Sequence, residues 1–366
     1  MDPVLTRRAL GRATLARQLL LERRDLPAAA ALEHLVGLQA QVPRAPHVAL
    51  WSRLAGYDPA ELDALMTSRA VVRTQLMRTT IHTVTAADAL ALRPLLQPVL
   101  ERTFASTAWG QRLRGRDVTA VVQEATALLA ERPMGRAELQ RELARRHPEL
   151  DAEAVTFAVS YRLPWVQPPP RGLWTRTGAA VMTPLRTWLG RDVEASLSPE
   201  DMMLRYLAAF GPASVRDVQT WCGLTRLREV VDRLGSRLRR YRTEDGAELV
   251  DVPGSPLPGP DAPAPVRFLA EYDNVLLSHA DRTRVVCEGD HVPLPGGSGG
   301  RIGTVLVDGL LRASWAARPD GDTTVLTVRA SGPLSAAERA DVAAEGSRLL
   351  GFLAPGREHD VRFANG

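Results

Sequence analysis

The spacing of hydrophobic and polar positions predicts helices followed by a hairpin near the start of the chain. "VLTRRALGRATLARQLLLERR" has an apolar stripe at helical spacing and Thr6 as a candidate N-cap. Further helices are predicted from about Pro27 to Gln39, after Pro46, and after Asp58, where "DPAELDALMTSR" begins. The β-branched run "AVVRTQLMRTTIHTV" then predicts two strands joined by a tight turn. Helices followed by a hairpin are the order of a winged helix.

The same order of elements is predicted twice more. "VTAVVQEATALLAERP", "MGRAELQRELARRHP" and "DAEAVTFAVSYRL" have helical patterns, and "WVQPPPRGLWTRTG" predicts a wing with Trp165 and Trp174 on its two arms. In the third repeat, Ser198 and Ser214 are candidate N-caps, and a turn at Asp245-Gly246 closes a hairpin. Three weak repeats of one unit support each other.

The last third of the chain has a different pattern. "PGSPLPGPDAPAP" (253–265) contains six prolines and predicts a stiff, extended linker. Beyond it, "VRFLAEYDNVLLSHADRTRVV", "GTVLVDGLLRASWAA" and "TTVLTVRASGPLS" predict strands, and "AAERADVAAEGSRLLGFL" predicts a final helix. The glycine-rich stretch 289–303 predicts a mobile loop or hairpin tip.

These patterns predict an α+β fold with three tandem winged-helix motifs and a β-rich C-terminal region. The predicted boundaries are 1–115, 116–195, 196–252, the linker 253–265, and 266–366. A length of 366 residues agrees with several such units.

Composition narrows the classes of function. The sequence is 45% hydrophobic and 24% charged, contains no apolar run as long as a membrane span, and has no signal-peptide core at its start. We therefore expect a cytoplasmic protein with no membrane partner. Two distant cysteines and seven histidines without ligand spacing argue against a metal site, and we expect no cofactor.

The chain contains no lysine, so all 46 basic residues are arginine. A GC-rich genome explains this bias, but two physical consequences remain. Every basic side chain can grip a phosphate with two donors, and no lysine amine can form a Schiff base. The net charge of +4 is modest, so a nucleic-acid surface requires local clustering of arginine.

"GLQAQVP" places two glutamines, Gln39 and Gln41, where a hydrophobic helix is predicted to end. Gln39 lies on the apolar face at helical spacing, and a buried amide needs partners. The two side chains converge only if the chain becomes extended, which Pro43 favours for the residue before it. From the residues alone, the pair either satisfies a helix end or forms a site.

Other polar clusters allow two interpretations each. Basic side chains crowd "RLRRYR", which forms either a solvated face or a nucleic-acid surface: Arg237, Arg239, Arg240 and Arg242. "AEYDNVLLSHADR" carries Glu271, Asp273, His279 and Asp281, which suit a polar network at a domain interface better than a metal site. "GGSGG" is not a phosphate-binding loop, because no Gly-Lys-Ser/Thr follows it.

Four segments together resemble a known family: "GLQAQVPRAPHVALWSRL", "LMRTTIHTV", "FGPASVRDVQTWCGL" and "RFLAEYDNVLLSHADRTRV". They look like the bacterial winged-helix DNA glycosylases that include the azinomycin-resistance enzymes and their relatives that unhook interstrand crosslinks. The likeness spans nearly the whole chain, and the segments follow the family's order.

The resemblance implies three tandem winged helices in a C-shaped scaffold and a catalytic Gln-apolar-Gln motif at Gln39-Ala40-Gln41. A broader-acting branch of the family has Asp in place of the second glutamine, so with Gln41 this chain looks like the branch associated with antibiotic self-resistance. The implied substrate is N7-alkylguanine in double-stranded DNA, including bulky natural-product adducts or interstrand crosslinks. A DNA-engaging hairpin is expected at 284–305, and the protein is expected to be a monomer.

We therefore predict a monofunctional DNA N-glycosylase in which Gln39 and Gln41 position water. DNA contacts are expected from the arginines of "RLRRYR" and from Arg282, Arg284, Arg301 and His82. A lone histidine such as His82, beside Arg78, is more often structural than catalytic. Two rivals remain from the sequence. One is a DNA-binding transcription regulator without enzymatic activity, and the other is a resistance protein that sequesters the free drug.

Overall fold

The structure is a computed structural model that describes residues 2–193, 196–287, 292 and 302–364. Its described part is a mixed α+β fold with three sheets. The predicted fold class is therefore confirmed, while its division into three winged helices remains a prediction. Within the described residues, none of the helices combines the length and apolarity needed to cross a bilayer.

The first region contains β1 (Val4–Leu5), α1 (Arg7–Arg17), α2 (Ala28–His34), β2 (Leu38–Gln39), α3 (Ala45–Arg53), α4 (Pro59–Thr67), β3 (Val71–Gln75), a 3-10 turn (Met77–Thr79), β4 (Ile81–Thr85), α5 (Ala86–Ser106) and α6 (Ala108–Arg112). The predicted caps are confirmed, because Thr6 accepts a hydrogen bond from Ala9 N and Asp58 accepts one from Ala60 N.

The predicted helix to Gln39 is too long, because α2 ends at His34. Val36 and Gly37 both have positive φ, at 53° and 87°, and they turn the chain into the short strand β2. A Cβ on Gly37 would lie 2.3 Å from Val84 Cγ1, so glycine is what lets this turn approach β4.

The second region contains α7 (Thr119–Glu131), β5 (Met134–Gly135), α8 (Arg136–Arg146), α9 (Ala152–Arg162), β6 (Trp165–Val166), β7 (Val181–Pro184) and α10 (Leu185–Leu189). The three predicted helices are present. Trp165 lies on a strand as predicted, but Trp174 lies in the loop between strands, and β7 pairs with β6 in its place.

The third region follows its prediction closely. It contains α11 (Pro199–Phe210), α12 (Val215–Cys222), α13 (Leu227–Leu234), a 3-10 turn (Gly235–Arg237), β8 (Arg239–Thr243) and β9 (Glu248–Asp251). Ser198 and Ser214 are the N-caps, and Gly246 has a φ of 85° in the hairpin turn.

The C-terminal region contains β10 (Arg267–Leu269), a 3-10 turn (Asn274–Leu276), β11 (Gly303–Val307), β12 (Leu310–Asp320), β13 (Thr323–Ala330), α14 (Ala336–Leu353) and β14 (Glu358–Ala364). The long strand expected from residue 266 is wrong beyond Leu269, because the segment turns at Asp273 to enter the 3-10 turn. The linker is held along α1, where arginine side chains donate to Pro256, Pro260 and Ala262 carbonyl oxygens.

The sheets connect regions that the sequence separates. A six-stranded sheet has the order β2-β4-β3-β6-β7-β5, and Thr74 pairs with Val166 where the first region meets the second. A three-stranded sheet has the order β1-β8-β9, in which the N-terminal strand β1 pairs in parallel with β8 of the third region. The remaining five strands form one sheet in the order β10-β11-β12-β13-β14. The domain boundaries remain a prediction. Two of these strand pairings, β1 with β8 and β3 with β6, join residues on opposite sides of those boundaries.

Candidate active site

Gln39 lies on β2, directly opposite His82 of β4, and is 6% exposed. Its side-chain oxygen accepts a hydrogen bond of 2.8 Å from Arg78 Nη2. An arginine only donates, so this contact determines which end of the amide is oxygen. The expectation that Gln39 points inward is confirmed, but its cause is strand pairing and not a helical face.

Arg78 holds a left-handed backbone conformation, with φ 54° and ψ 20°, in the turn between β3 and β4. Besides Gln39, its Nη2 lies 3.3 Å from His82 Nε2 and 3.3 Å from Asn274 Oδ1. Burial lowers the pKa of Arg78 to about 10, so the guanidinium remains charged at neutral pH. A partly buried cation therefore contacts acceptors from three separate segments.

His82 is fully buried rather than presented to DNA. Its Nδ1 lies 3.1 Å from Thr80 O, and its Nε2 faces the donor Arg78. This arrangement fits a neutral ring whose Nδ1 donates and whose Nε2 accepts. Burial, reinforced by the charge of Arg78, lowers the pKa of His82 to about 3. We therefore assign His82 to the support of Arg78 and not to a surface contact.

Gln41 is exposed and lies just beyond β2. Its side-chain oxygen accepts a hydrogen bond of 3.1 Å from the backbone N–H of Ile81, while Ala40 N donates to Ile81 O at 2.7 Å. The backbone N–H is also donor-only, so the orientation of this amide is determined as well. Both motif glutamines thus lie against the segment 78–82.

Arg73, on β3, holds the backbone on either side of Gln41. Its Nη2 donates to Ala40 O at 2.9 Å and its Nη1 to Pro43 O at 3.1 Å. The side chain is buried, and this burial lowers the pKa of Arg73 to about 9. Sequence reasoning missed this residue, because nothing in the spacing of Arg73 relative to the motif signals a contact across strands.

A cavity of about 390 Å³ opens beside Gln41, between the six-stranded sheet and the helices α8 and α9. Phe157, Tyr161 and Trp165 contribute aromatic surface, and Gln167 contributes an amide. Arg136 also lines the cavity, with its guanidinium 4.2 Å from the centre of the Phe157 ring. This size and mixed lining suit a small planar ligand.

The predicted arginine cluster lies on a different sheet from the glutamines. Arg237 ends the 3-10 turn before β8, and the other three members lie on β8 itself; all four are exposed. Arg240 forms an ion pair with Glu248, and Arg239 lies 5.1 Å from the centre of the Tyr241 ring. All four side chains are therefore exposed enough to contact DNA.

The remaining predicted DNA contacts differ in their placement. Arg282 is exposed. Arg284 is 5% exposed, and its Nη1 donates to Pro212 O at 2.9 Å, so we reassign Arg284 to the packing of the fold. Arg301 and most of the expected hairpin at 284–305 lie outside the described residues.

Within "AEYDNVLLSHADR", Asp273 forms a buried ion pair with Arg53, with both carboxylate oxygens bonded at 2.7 and 2.8 Å. His279 is buried, and its Nε2 lies 3.0 Å from Phe210 O. These contacts join the C-terminal region to the first and third regions. The interpretation of this segment as an interface network is therefore confirmed for these two residues.

Comparison with known proteins identifies the family to which this chain belongs. A family model described as "DNA glycosylase AlkZ-like" matches residues 32–352. No curated protein matches the chain significantly. The solved structure of the Streptomyces sahachiroi DNA glycosylase AlkZ matches with a TM-score of 0.74 and 18% identity, over 99% of this chain and 100% of that chain, which shows a shared fold. Because the family model spans most of the sequence, the chain belongs to the AlkZ-like DNA glycosylase family.

Proposed function

We propose that the protein hydrolyses the N-glycosidic bond of N7-alkylguanine in double-stranded DNA, with Gln39 and Gln41 positioning the attacking water. Family membership supplies the glycosylase reaction, while the base and the residue roles are our proposal. One observation carries it: both glutamines lie against the segment 78–82, and a donor-only group holds each carbonyl oxygen. This fixed orientation of both amides supports the proposal that they form a site.

The chemistry suits two neutral amides. Alkylation at N7 places a positive charge on guanine, so the bond between C1′ and N9 breaks with its electron pair moving to N9, and the base leaves neutral. Water forms the new bond to C1′ and loses a proton to the solvent. Strong acid catalysis is unnecessary, and the protein's task is to place the water.

Each glutamine side-chain oxygen can accept one more hydrogen bond than the one described, which is what binding a water requires. A carbonyl oxygen accepts two hydrogen bonds, and Arg78 Nη2 and Ile81 N each use one. We propose that a water occupies the second acceptor position of each oxygen. A carboxylate would be the stronger base, so we expect the glutamine pair to act poorly on uncharged lesions.

The proposed reaction ends at an abasic site. The sequence contains no lysine, so no lysine amine attacks C1′ to open a lyase pathway. We therefore propose a monofunctional glycosylase that uses water as its nucleophile and requires no cofactor.

We further propose that three winged helices form an open C-shaped scaffold whose exposed arginines bind phosphates. Such a scaffold would accept bulky natural-product adducts or interstrand crosslinks that resist full base extrusion. The Gln-Ala-Gln form of the motif supports a role in antibiotic self-resistance. We propose a cytoplasmic monomer as the working form.

The test is base release from a duplex that contains a single N7-methylguanine. Wild-type protein should produce abasic sites, and Gln39→Ala or Gln41→Ala should reduce the rate sharply. Gln219→Ala, at an exposed glutamine of α12, is the matched control and should retain full activity. Borohydride should trap no covalent protein–DNA product.

Other outcomes separate the rivals. A regulator would give a sequence-specific footprint without releasing a base, and a drug-sequestering protein would bind the free antibiotic in the absence of DNA. Full activity in both glutamine variants would mean that the pair is structural. A panel of natural-product adducts then identifies the cognate agent.

A further inference from the structure

A third glutamine, Gln167, lines the same cavity as Gln41. Its backbone N–H donates to Arg73 O at 2.9 Å, and its side-chain oxygen accepts from Arg73 Nη2 at 3.3 Å. Because arginine only donates, the oxygen of this amide faces Arg73, which leaves the Nε2 amino group for the cavity. Gln167 is 7% exposed, so the protein holds this donor in place.

One guanidinium links this amide to the catalytic motif. Arg73 Nη2 also donates to Ala40 O at 2.9 Å, directly before Gln41. The side chain of Gln167 and the backbone next to Gln41 are therefore held by the same guanidinium. A base held by one amide would have a defined position relative to the other.

The cavity walls suit a purine ring. Phe157, Tyr161 and Trp165 line it, and its volume of about 390 Å³ is within the ~300–1,000 Å³ range of small-molecule sites. Arg136 also lines the cavity, with its guanidinium 4.2 Å from the centre of the Phe157 ring, so we base the selection among purines on polar groups and not on the charge of the base. A donor on the same wall then distinguishes one purine from another.

The major-groove edges of guanine and adenine differ in one respect once N7 is alkylated. Guanine retains the acceptor O6, whereas adenine presents the N6 amino group, which is a donor. An amide N–H pairs with the first and opposes the second. A fixed donor therefore selects guanine.

We propose that Gln167 Nε2 donates a hydrogen bond to O6 of a guanine that carries a small N7-alkyl group, such as N7-methylguanine, in this cavity, and that Gln167 is a specificity residue for guanine over adenine. This inference rests on the proposed function, because it assigns the base recognised by the same site. It adds a contact that the Gln-Ala-Gln motif does not supply.

Two substitutions at Gln167 separate base recognition from support of Arg73. Gln167→Glu keeps an acceptor for Arg73 but replaces the donor with an oxygen, whereas Gln167→Met removes both. If Gln167 reads O6, kcat/KM for N7-methylguanine should fall about tenfold or more in Gln167→Glu, as expected for a lost hydrogen bond. Release of N7-methyladenine, measured in the same methylated duplex by mass spectrometry, should not fall in parallel. Gln219→Glu is the matched control, and thermal unfolding checks that each variant is folded.

The outcomes are distinguishable. Wild-type activity in Gln167→Glu together with a loss in Gln167→Met would assign Gln167 to supporting Arg73 alone and overturn the inference. An equal loss of both bases in a folded Gln167→Glu would overturn it as well. Absence of N7-methylguanine release by the wild type would instead refute the proposed function, whatever the variants do.

Discussion

Arg78 is the residue on which the position of Gln39 depends. Its Nη2 reaches Gln39, His82 and Asn274, which come from three parts of the chain. All three contacts come from Nη2, and a lysine ammonium ends one bond nearer the backbone than this atom, so it does not reach the same position. Arg78→Lys should therefore lower kcat for base release roughly tenfold, the effect of about one hydrogen bond, with a smaller change in KM.

A matched control exists for this substitution. Arg69 also has a positive φ, of 68°, but is exposed and donates to Trp188 O at 2.8 Å. Arg69→Lys should leave kcat unchanged. Equal effects of the two substitutions would show that the loss of any guanidinium, and not of the contact with Gln39, determines the result.

At this scale the sequence indicated which residues matter but not how they are held. Gln39 was expected to face inward at helical spacing, and it does so from a strand that begins after Gly37. Arg73 was not anticipated, because its contacts with Ala40 and Pro43 join positions about thirty residues apart. Local periodicity carries no information about such pairs.

Strand β8 carries arginines whose charges are not equivalent. Arg240 is ion-paired with Glu248, whereas Arg239 is exposed beside the ring of Tyr241. A cation that already has a carboxylate partner contributes less to phosphate binding. Arg239→Ala should reduce the slope of log affinity against log salt by about 0.9, the value for one phosphate contact, and Arg240→Ala should reduce it less.

This prediction is measured by titrating an undamaged duplex at several salt concentrations, so that catalysis does not enter. Arg318→Ala, on strand β12 of another sheet, is the comparison for a general change in net charge. Equal slopes for Arg239→Ala and Arg318→Ala would contradict a specific role for β8.

Whole elements were predicted best where their signals are local. The caps Thr6, Asp58, Ser198 and Ser214 mark four helices correctly. No element was assigned to α5, whose interior contains Pro94 and Pro98, or to β14, which pairs in parallel with β13. Tertiary packing compensates for the prolines inside α5. Strand β14 forms only by pairing with β13, which is distant in the sequence, so its own residues do not predict it.

The buried pair Arg53–Asp273 connects distant parts of the whole molecule. Both side chains are 0% exposed, and the residue after Asp273 contacts Gly37 and Arg78. Removing one charge leaves the other buried without compensation. Asp273→Asn should therefore lower the free energy of unfolding by about 3–5 kcal/mol.

Denaturant unfolding measures this change, and Asp320→Asn provides the control. Asp320 lies 3.6 Å from Arg362 in an exposed pair, whose loss should cost less than about 1 kcal/mol. Similar losses in the two variants would contradict a central role for the buried pair.

The sequence by itself determined the α+β class, most helices and their caps, the absence of lysine, and the glutamine motif that led to the family. These features depend on local spacing and composition. Only the tertiary structure decided that β2 pairs with β4, that Arg78 orients Gln39, and that Arg73 links the motif loop to Gln167. Each of these contacts joins residues far apart in the chain, and only the packed fold brings their donors and acceptors together.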